Sequence, residues 1–237
     1  MALLLGIDDT DTVDSELGTG RVARRLAAEL AAAVDGLDRR GVVRQQFLLD
    51  PRVPYTTHNS SATLVFDCET DDEAAVVEVA ADFLVEVAAD GSDPGLCVAE
   101  SDDVPESAVA FGRRAQAELV EKADAYAVAR EADLFLAEYG GTGDGVIGAL
   151  GGLALTAAGD SGRFVAYGDI REYGATVSVE TLRADGIRVV APDGTSVDSG
   201  TVETRNWIRP QLREGVPTLP VERDGEGGAW LPANRTD

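Results

Sequence analysis

The chain has 237 residues, with 43 Asp and Glu against 20 Lys and Arg, and a formal net charge of −23. A surface this acidic argues against nonspecific attachment to nucleic acid or anionic membranes. No apolar run approaches the ~20 residues that a bilayer span needs, and the start MALLLGIDD turns acidic too early for a secretory signal.

Lys122 is the sole lysine, and the excess acid is spread along the whole chain. Distributed carboxylates, an Ala/Val-rich core and Arg in place of Lys suggest a cytoplasmic protein of a halophilic archaeon. In strong brine the Debye length falls to about 3 Å, which screens the self-repulsion. The two cysteines, Cys68 and Cys97, have no ligand-like neighbours in sequence and read as reduced, buried thiols. They could also face each other on adjacent strands.

In chain order, Leu3–Ile7 reads as a buried strand. Gly18 to Val34 carries Val22, Leu26, Leu30 and Val34 at a spacing of four, one apolar helix face. Val42–Leu49 and Ala62–Asp67 read as strands. Thr70 and Glu73 fit a capping box before a helix that buries Val76, Val77, Ala80, Phe83, Leu84 and Val87. Leu96–Ala99 is a short strand. Pro105 sits where a helix start tolerates proline, and helix is expected from there to about Ala137, broken near Glu121 or Lys122. The glycines of Tyr139–Gly145 exclude a stable helix or strand interior. Val146–Ala158 reads as a small-residue helix. After it, Arg163–Ala166, Thr176–Thr181 and Ile187–Val190 read as strands of an antiparallel meander, and the chain from Asp224 as a frayed tail.

Four segments could carry chemistry. Gly6-Ile7-Asp8-Asp9-Thr10-Asp11-Thr12 packs three carboxylates into the turn that ends the first strand. Like charges this close repel unless a cation sits between them. Hard oxygen ligands suit Mg²⁺, which keeps waters and bridges to substrate phosphates. The plainer reading is an acidic turn in an acidic protein. Gly18-Thr19-Gly20 opens the first helix, where free amides favour an anion and Thr19 could offer its hydroxyl to a phosphate; it also reads as a simple N-cap. Asp50 to Ser61 follows a strand, is stiffened by Pro51 and Pro54, and holds His58, the only histidine, beside Asn59. It suits a phosphate or ribose, or is a solvated polar loop. Gly140–Gly145 running into Val146–Leu150 has the loop-then-helix logic of a phosphate cradle but is no Walker A motif, and could equally be a hinge.

Taken in order, Gly6-Ile7-Asp8-Asp9-Thr10-Asp11, Gly18-Thr19, Val53-Pro54-Tyr55-Thr56-Thr57 and Gly143-Asp144-Gly145-Val146-Ile147-Gly148-Ala149 resemble the N-terminal half of the archaeal tRNA-isoleucine 2-agmatinylcytidine synthetases. That family uses ATP to activate a tRNA wobble cytidine by phosphorylation and joins agmatine to it. The resemblance runs from residue 2 to about 220. It implies an α+β fold, with a kinase-like α/β lobe over residues 1–160 and a smaller, antiparallel ferredoxin-like lobe over 161–237. It places Asp8, Asp9 and Asp11 on the acidic Mg²⁺–ATP cluster and Thr19 on the threonine that becomes phosphorylated.

The expected site therefore has Asp8, Asp9, Asp11 and Thr19 as catalytic groups, with the three aspartates as metal ligands. Thr10, Gly18, His58, Asn59, Gly143 and Gly145 would contact ATP. Two departures stand out. Gly20 replaces one of the family's paired threonines, and Thr56-Thr57-His58 stands where the family carries Lys-Thr-Arg, so two cations are missing. Arg52, Arg113, Arg163 and Arg171 are candidates to supply that charge; Lys122, within a helix, is not. There is no CxxC pair, and the chain stops short of the family's OB-fold and zinc ribbon. The expectation is an ATP- and Mg²⁺-dependent phosphotransferase or ligase core acting on a small-molecule acceptor, with no membrane and no direct nucleic-acid partner. The alternatives are a non-catalytic nucleotide-binding subunit, and a tRNA-modification component working with a separate RNA-binding chain.

Overall fold

A computed structural model describes residues 2–15, 17–53, 58–70, 72–205, 207–225 and 228–233. The first hundred residues run β1 (Ala2–Asp8), α1 (Thr19–Ala33), β2 (Leu37–Gln46), β3 (Ser60–Cys68), α2 (Glu73–Val87) and β4 (Gly95–Glu100). The strands lie in the order β4-β1-β3-β2, and every pairing is antiparallel. That is the split βαββαβ arrangement of ferredoxin-like folds.

Strand alternation sends side chains to two cores. Leu3, Leu5, Ile7, Leu64, Phe66, Leu96 and Val98 face α1 and α2, and meet Val22, Leu26 and Leu30 of α1. Burying a leucine such as Leu26 contributes about 2 kcal/mol. Leu4, Cys97 and Ala99 point the other way, onto three further helices. These are α3 (Glu106–Ala117), α4 (Lys122–Glu131) and α5 (Gly145–Ala158). Between α4 and α5, β5 (Phe135–Glu138) adds antiparallel to β4 as an edge strand.

Glycines set the distance between α5 and the sheet. A Cβ at Gly6 would lie 2.1 Å from the Ala149 carbonyl oxygen, and one at Gly95 2.3 Å from the Gly145 carbonyl carbon. Helix α5 is buried along nearly its whole length, which explains its all-round small and apolar composition.

Past residue 160 come β6 (Arg163–Tyr167), β7 (Thr176–Ser178), α6 (Val179–Ala184), β8 (Arg188–Val190), β9 (Thr201–Glu203), β10 (Gln211–Arg213), β11 (Val216–Arg223) and β12 (Trp230–Pro232). They pack around Ile170, Val179, Leu182, Val202, Leu219 and Val221. β6 pairs with β2, so one chain of hydrogen-bonded strands continues from the first core into the second.

Several expectations need correction. The ferredoxin-like arrangement lies in residues 2–100; residues 161–237 hold short strands and a single six-residue helix among the described residues. Those strands are not a pure antiparallel meander, because β8 runs parallel to β11 and β9 to β12. The expected helix reaching Ala137 ends at Glu131, since a left-handed Asp133 turns the chain into β5. The segment Thr176–Thr181 switches from strand to helix at Ser178, whose hydroxyl caps α6 by accepting from the Thr181 amide. Helix α2 is capped by Asp72, which accepts from the Ala75 amide at 3.0 Å, not by a Thr70–Glu73 box. Part of the expected tail is ordered pairing, as Trp230–Pro232 joins β11 and β9. Cys68 and Cys97 are free thiols on β3 and β4, kept apart by β1. No described helix is long and apolar enough to cross a membrane.

Candidate active site

The C-terminal end of β1 opens into a cleft of about 220 Å³ between the turn after β1, the loop after β2, the end of α3 and the start of α5. Asp8, Asp9, Asp11, Thr19, His58, Asn59 and Gly145 all line it. Segments far apart in the chain thus meet at one place, as sites do at strand ends in layered α/β folds. Pro54, Tyr55, Thr56 and Thr57, part of the motif on the β2–β3 loop, lie outside the described residues.

The floor is acidic because of strand register. Asp8 shares a face with Leu4 and Gly6, so its carboxylate is directed at α5. It fits only because residue 148 is glycine: a Cβ there would come within 1.8 Å of Asp8 Oδ2. Burial and the neighbouring Asp9 push the Asp8 pKa up to about 8, with a smaller upward push from Asp11 against a lowering bond from the Asp9 amide. Asp9 itself is raised to about 6 by burial, then by Asp93 and Asp11, with Asp144 adding a further push. Its backbone is left-handed, with φ 51°, an unfavourable conformation for a residue carrying a Cβ.

Asp11 is committed differently. Its Oδ1 accepts both the Thr19 amide, at 3.0 Å, and the Thr19 hydroxyl, at 2.7 Å. It caps α1 from eight residues away, since Gly18 at the N-cap has no side chain to do so. Thr19 is half-buried and presents its hydroxyl to the cleft with a carboxylate already in place to take its proton.

Other candidates are placed otherwise than the sequence suggested. Thr10 is buried and donates its hydroxyl to Thr19 Oγ1 at 3.3 Å, so it orients Thr19 and does not open to the cleft. Gly18 is exposed beside the cleft, its carbonyl closing the first turn of α1 by accepting from Arg21 and Val22. The Gly143 amide donates to the Gly140 carbonyl and the Gly145 amide to the Asp93 carbonyl. Neither amide is therefore available as a phosphate cradle, and both glycines serve close packing. A Cβ on Gly143 would meet Glu138, and one on Gly145 the Asp93 carbonyl. Asn59 donates its amide to the Leu48 carbonyl at 2.8 Å and closes the neck of the 48–59 loop. His58 is exposed at the cleft wall.

Three kinds of residue at the site were missed. Asp93 and Asp144 join the acidic group around Asp9; Asp144 lies inside a quoted motif but was given no role, and nothing in the local sequence marks Asp93. Phe47, Leu48, Val53, Ala115, Leu119, Val120 and Ile147 form an apolar wall, which suits a flat base. Val53 and Ile147 fall in the quoted motifs without an assigned role, and the others read only as ordinary apolar residues. Gly148 was quoted for its motif, and its actual task is to admit the Asp8 carboxylate.

Among the candidate arginines, Arg52 lines the cleft. It forks onto Asp50 at 2.8 Å through two nitrogens, and these bonds hold the Asp50 pKa down at about 2. Arg113 is paired with Glu106 on the surface of α3. Lys122 lies outside the cleft and is tied to Glu138 at 2.8 Å.

Among the described residues no three carboxylate, histidine or cysteine side chains converge as a ready metal cage. Of the expected ligand set Asp8, Asp9 and Asp11, the last has its Oδ1 engaged by the Thr19 amide and hydroxyl. Asp8 and Asp9 remain as neighbouring carboxylates at the cleft floor. That donor set fits Mg²⁺, which is commonly held by one or two carboxylates together with waters and substrate phosphates.

No protein-family model matches the chain, and no curated protein sequence matches it. Solved structures do. The fold is similar to that of a tRNA fluorescent labeling enzyme, at 23% identity and a TM-score of 0.55, over 65% of this chain and 36% of that one. It is similar to apo TiaS, an agmatidine synthetase acting on an isoleucine tRNA, at 22% identity and 0.54, over 65% of this chain and 35% of that one. It is also similar to TiaS in its complex with that tRNA and ATP, at 21% identity and 0.55, over 65% and 36%. The chain shares its fold with TiaS. It spans 35–36% of the length of those proteins. The family resemblance carried by the four motifs is thus matched by structures found through shape.

Proposed function

We propose that the cleft binds Mg²⁺ and ATP, and that the chain is the nucleotide-handling core of an RNA-modifying phosphotransferase or ligase. The observation that carries this is the Asp11–Thr19 pair at the mouth of an acid-floored, apolar-walled cleft. TiaS, whose fold the chain shares, has been solved in complex with its isoleucine tRNA and ATP. In this reading residues up to about 160 hold the nucleotide and the later residues flank it.

The roles follow from placement. Asp8 and Asp9 would hold the cation, which would supply neutralising charge for the phosphates. The apolar wall takes the base, and Arg52 and His58 at the rim meet phosphate or ribose oxygens. Thr19 Oγ attacks the γ-phosphorus while Asp11 Oδ1 accepts the hydroxyl proton; the bond from the γ-phosphorus to the β–γ bridging oxygen breaks and ADP leaves. The protein's work is positioning and charge stabilisation, as is usual in phosphoryl transfer. Thr10 holds the Thr19 hydroxyl in line.

The test is incubation with Mg²⁺ and γ-labelled ATP in high-salt buffer. Label is expected on the wild type and absent from Thr19→Val. Equal labelling of both would remove Thr19 from the reaction. Saturable ATP binding without any labelling would favour the second reading, a nucleotide-binding subunit, which the position of the sole lysine outside the cleft supports.

A further inference from the structure

Asp93 lies behind the cleft, in the loop between α2 and β4, and is half-buried without lining the cavity. Each of its polar groups is in use. Its backbone amide hydrogen-bonds the Asp9 carboxylate and lowers the Asp9 pKa, against the upward push of the Asp93 charge. Its carbonyl accepts the Gly145 amide at 3.1 Å, at the first residue of α5. Its Oδ1 accepts the Thr142 amide, in the glycine-rich loop that leads into that helix.

The fit around Asp93 is close. A Cβ at Gly141, where φ is 55°, would collide with Asp93 Oδ1, and a Cβ at Gly145 with its carbonyl oxygen. The segment that carries Asp93 is itself fastened. Ser92 is buried and donates its hydroxyl to the Ala89 carbonyl at 2.7 Å. The Ala89 amide donates to the Thr10 carbonyl at 3.1 Å, and the Pro94 carbonyl accepts from the Tyr139 amide at 2.8 Å. The acidic turn and the glycine-rich loop are thereby joined through one short segment, residues 89–94.

That junction bears on both carboxylates of the cleft floor. Asp9 stands just past the end of β1 in a left-handed conformation, and the Asp93 amide orients its carboxylate. Asp8 is set against Gly148 of α5, and the first residue of that helix is bonded to the Asp93 carbonyl. Asp93 therefore reaches Asp9 directly and Asp8 through one turn of helix.

We propose that Asp93 is a positioning residue, which ties the acidic turn to the start of α5 and so sets the spacing of the Asp8 and Asp9 carboxylates. The inference rests on the proposed reading only in taking those carboxylates as ligands of a divalent cation. Groups that orient metal ligands from behind matter for affinity, and losing one weakens metal binding about ten- to a hundredfold. The Asp93 carboxylate works by geometry: its oxygen clamps the Thr142 amide, and its side chain stays out of the cleft. On its far side the glycine-rich loop is held by Lys122, whose Nζ donates to the Thr142 carbonyl and to Glu138. That tether leads away from the cleft floor, to the edge strand β5.

The probe is Mn²⁺ in place of Mg²⁺, followed by loss of the free-ion EPR signal in high-salt buffer, where a charge at a distance is screened. Backbone hydrogen exchange of the metal-free protein is read by mass spectrometry over residues 8–12 and 140–146. Two substitutions separate geometry from charge. Asp93→Asn keeps an acceptor oxygen in place and removes the charge; Asp93→Glu keeps the charge and displaces the oxygen by a methylene. Asp93→Glu should weaken Mn²⁺ binding about tenfold or more and speed exchange in both segments. Asp93→Asn should stay close to the wild type in both measurements, and Lys122→Gln should leave Mn²⁺ affinity unchanged. Equal Mn²⁺ affinity in the wild type and Asp93→Glu would overturn the proposal. So would a loss in Asp93→Asn as large as in Asp93→Glu, since Asp93 would then act through its charge. Unchanged exchange in both segments of Asp93→Glu would overturn it whatever the metal result. A wild type that binds no Mn²⁺, with exchange faster in both segments of Asp93→Glu alone, would uphold the positioning role and count against the cation reading.

Discussion

The acidic cleft and a group of arginines, Arg21, Arg24, Arg44, Arg163, Arg171 and Arg209, adjoin at the first turn of α1, and each gathers like charges. In the cleft, strand register presses the Asp8 carboxylate against Gly148, and the pKa values of Asp8 and Asp9 rise. In the arginine group, cations are pinned by carbonyls and a tryptophan, and several of their pKa values fall. Elsewhere on the molecule opposite charges are paired in the ordinary way, as Arg183 with Asp198 and Arg188 with Glu214 show. Surface pairs of that kind contribute little. Asp8 and Asp9 at the cleft floor remain open to a cation, whereas the arginines are held by neutral and aromatic contacts, as Arg24 is by the Gly20 carbonyl and Arg171 by the Val165 carbonyl and Trp207.

The comparison can be broken most severely at the glycines beneath the cleft. Gly6→Val would drive a side chain into the Ala149 carbonyl, and overpacking of this kind costs about 1–3 kcal/mol. Urea unfolding should show a loss at the upper end of that range; an unchanged midpoint would mean that α5 does not rest on β1 as described.

The next test concerns charge. Asp8 has its folded pKa raised from 3.8 to about 8, so the folded state holds a proton that the unfolded state has lost. Stability contributed by the protonated group is therefore lost as pH rises from about 4 to about 8. Without a divalent cation, Asp8→Asn should be the more stable protein at pH 8, by about 1 kcal/mol or more, and no more stable at pH 4. Mg²⁺ should raise the melting temperature of the wild type more at pH 8 than at pH 6, and hardly affect the variant. Equal Mg²⁺ effects at both pH values would detach the raised pKa from metal binding.

Asp11→Ala removes the cap of α1 and should cost about 1 kcal/mol in denaturant unfolding. Asp11→Asn should recover part of that stability without restoring a base for Thr19. The smallest effect is expected at Lys122→Gln, which should leave nucleotide affinity unchanged by calorimetry, since Lys122 is held by Glu138 outside the cleft.

Local physics made much of this legible in the sequence. The spacing of Val22, Leu26 and Leu30 identified α1, and the carboxylates after Leu3–Ile7 identified the acidic turn. The loop holding His58 and Asn59 was rightly placed after a strand, and it borders the cleft. What was not legible depends on tertiary register. Phe135–Glu138 looks helical until the left-handed Asp133 and the free edge of β4 are known. Gly143 and Gly145 look like a phosphate cradle until their amides are seen to be used internally. Thr10 looks like a ligand until it is found buried under Thr19. Asp93 and Asp144 reach Asp9 only through the fold. The arginine group draws on residues from 21 to 209, and no local pattern could have joined them.

The most direct measurement is a calorimetric titration of ATP into the wild type and Asp8→Asn, with and without Mg²⁺, in high-salt buffer at pH 8. The account predicts saturable binding by the wild type that depends on Mg²⁺, and a loss of about a hundredfold in the variant. Mg²⁺-independent binding, or equal affinity in the two proteins, would contradict the claim that the end of β1 is a metal–nucleotide site.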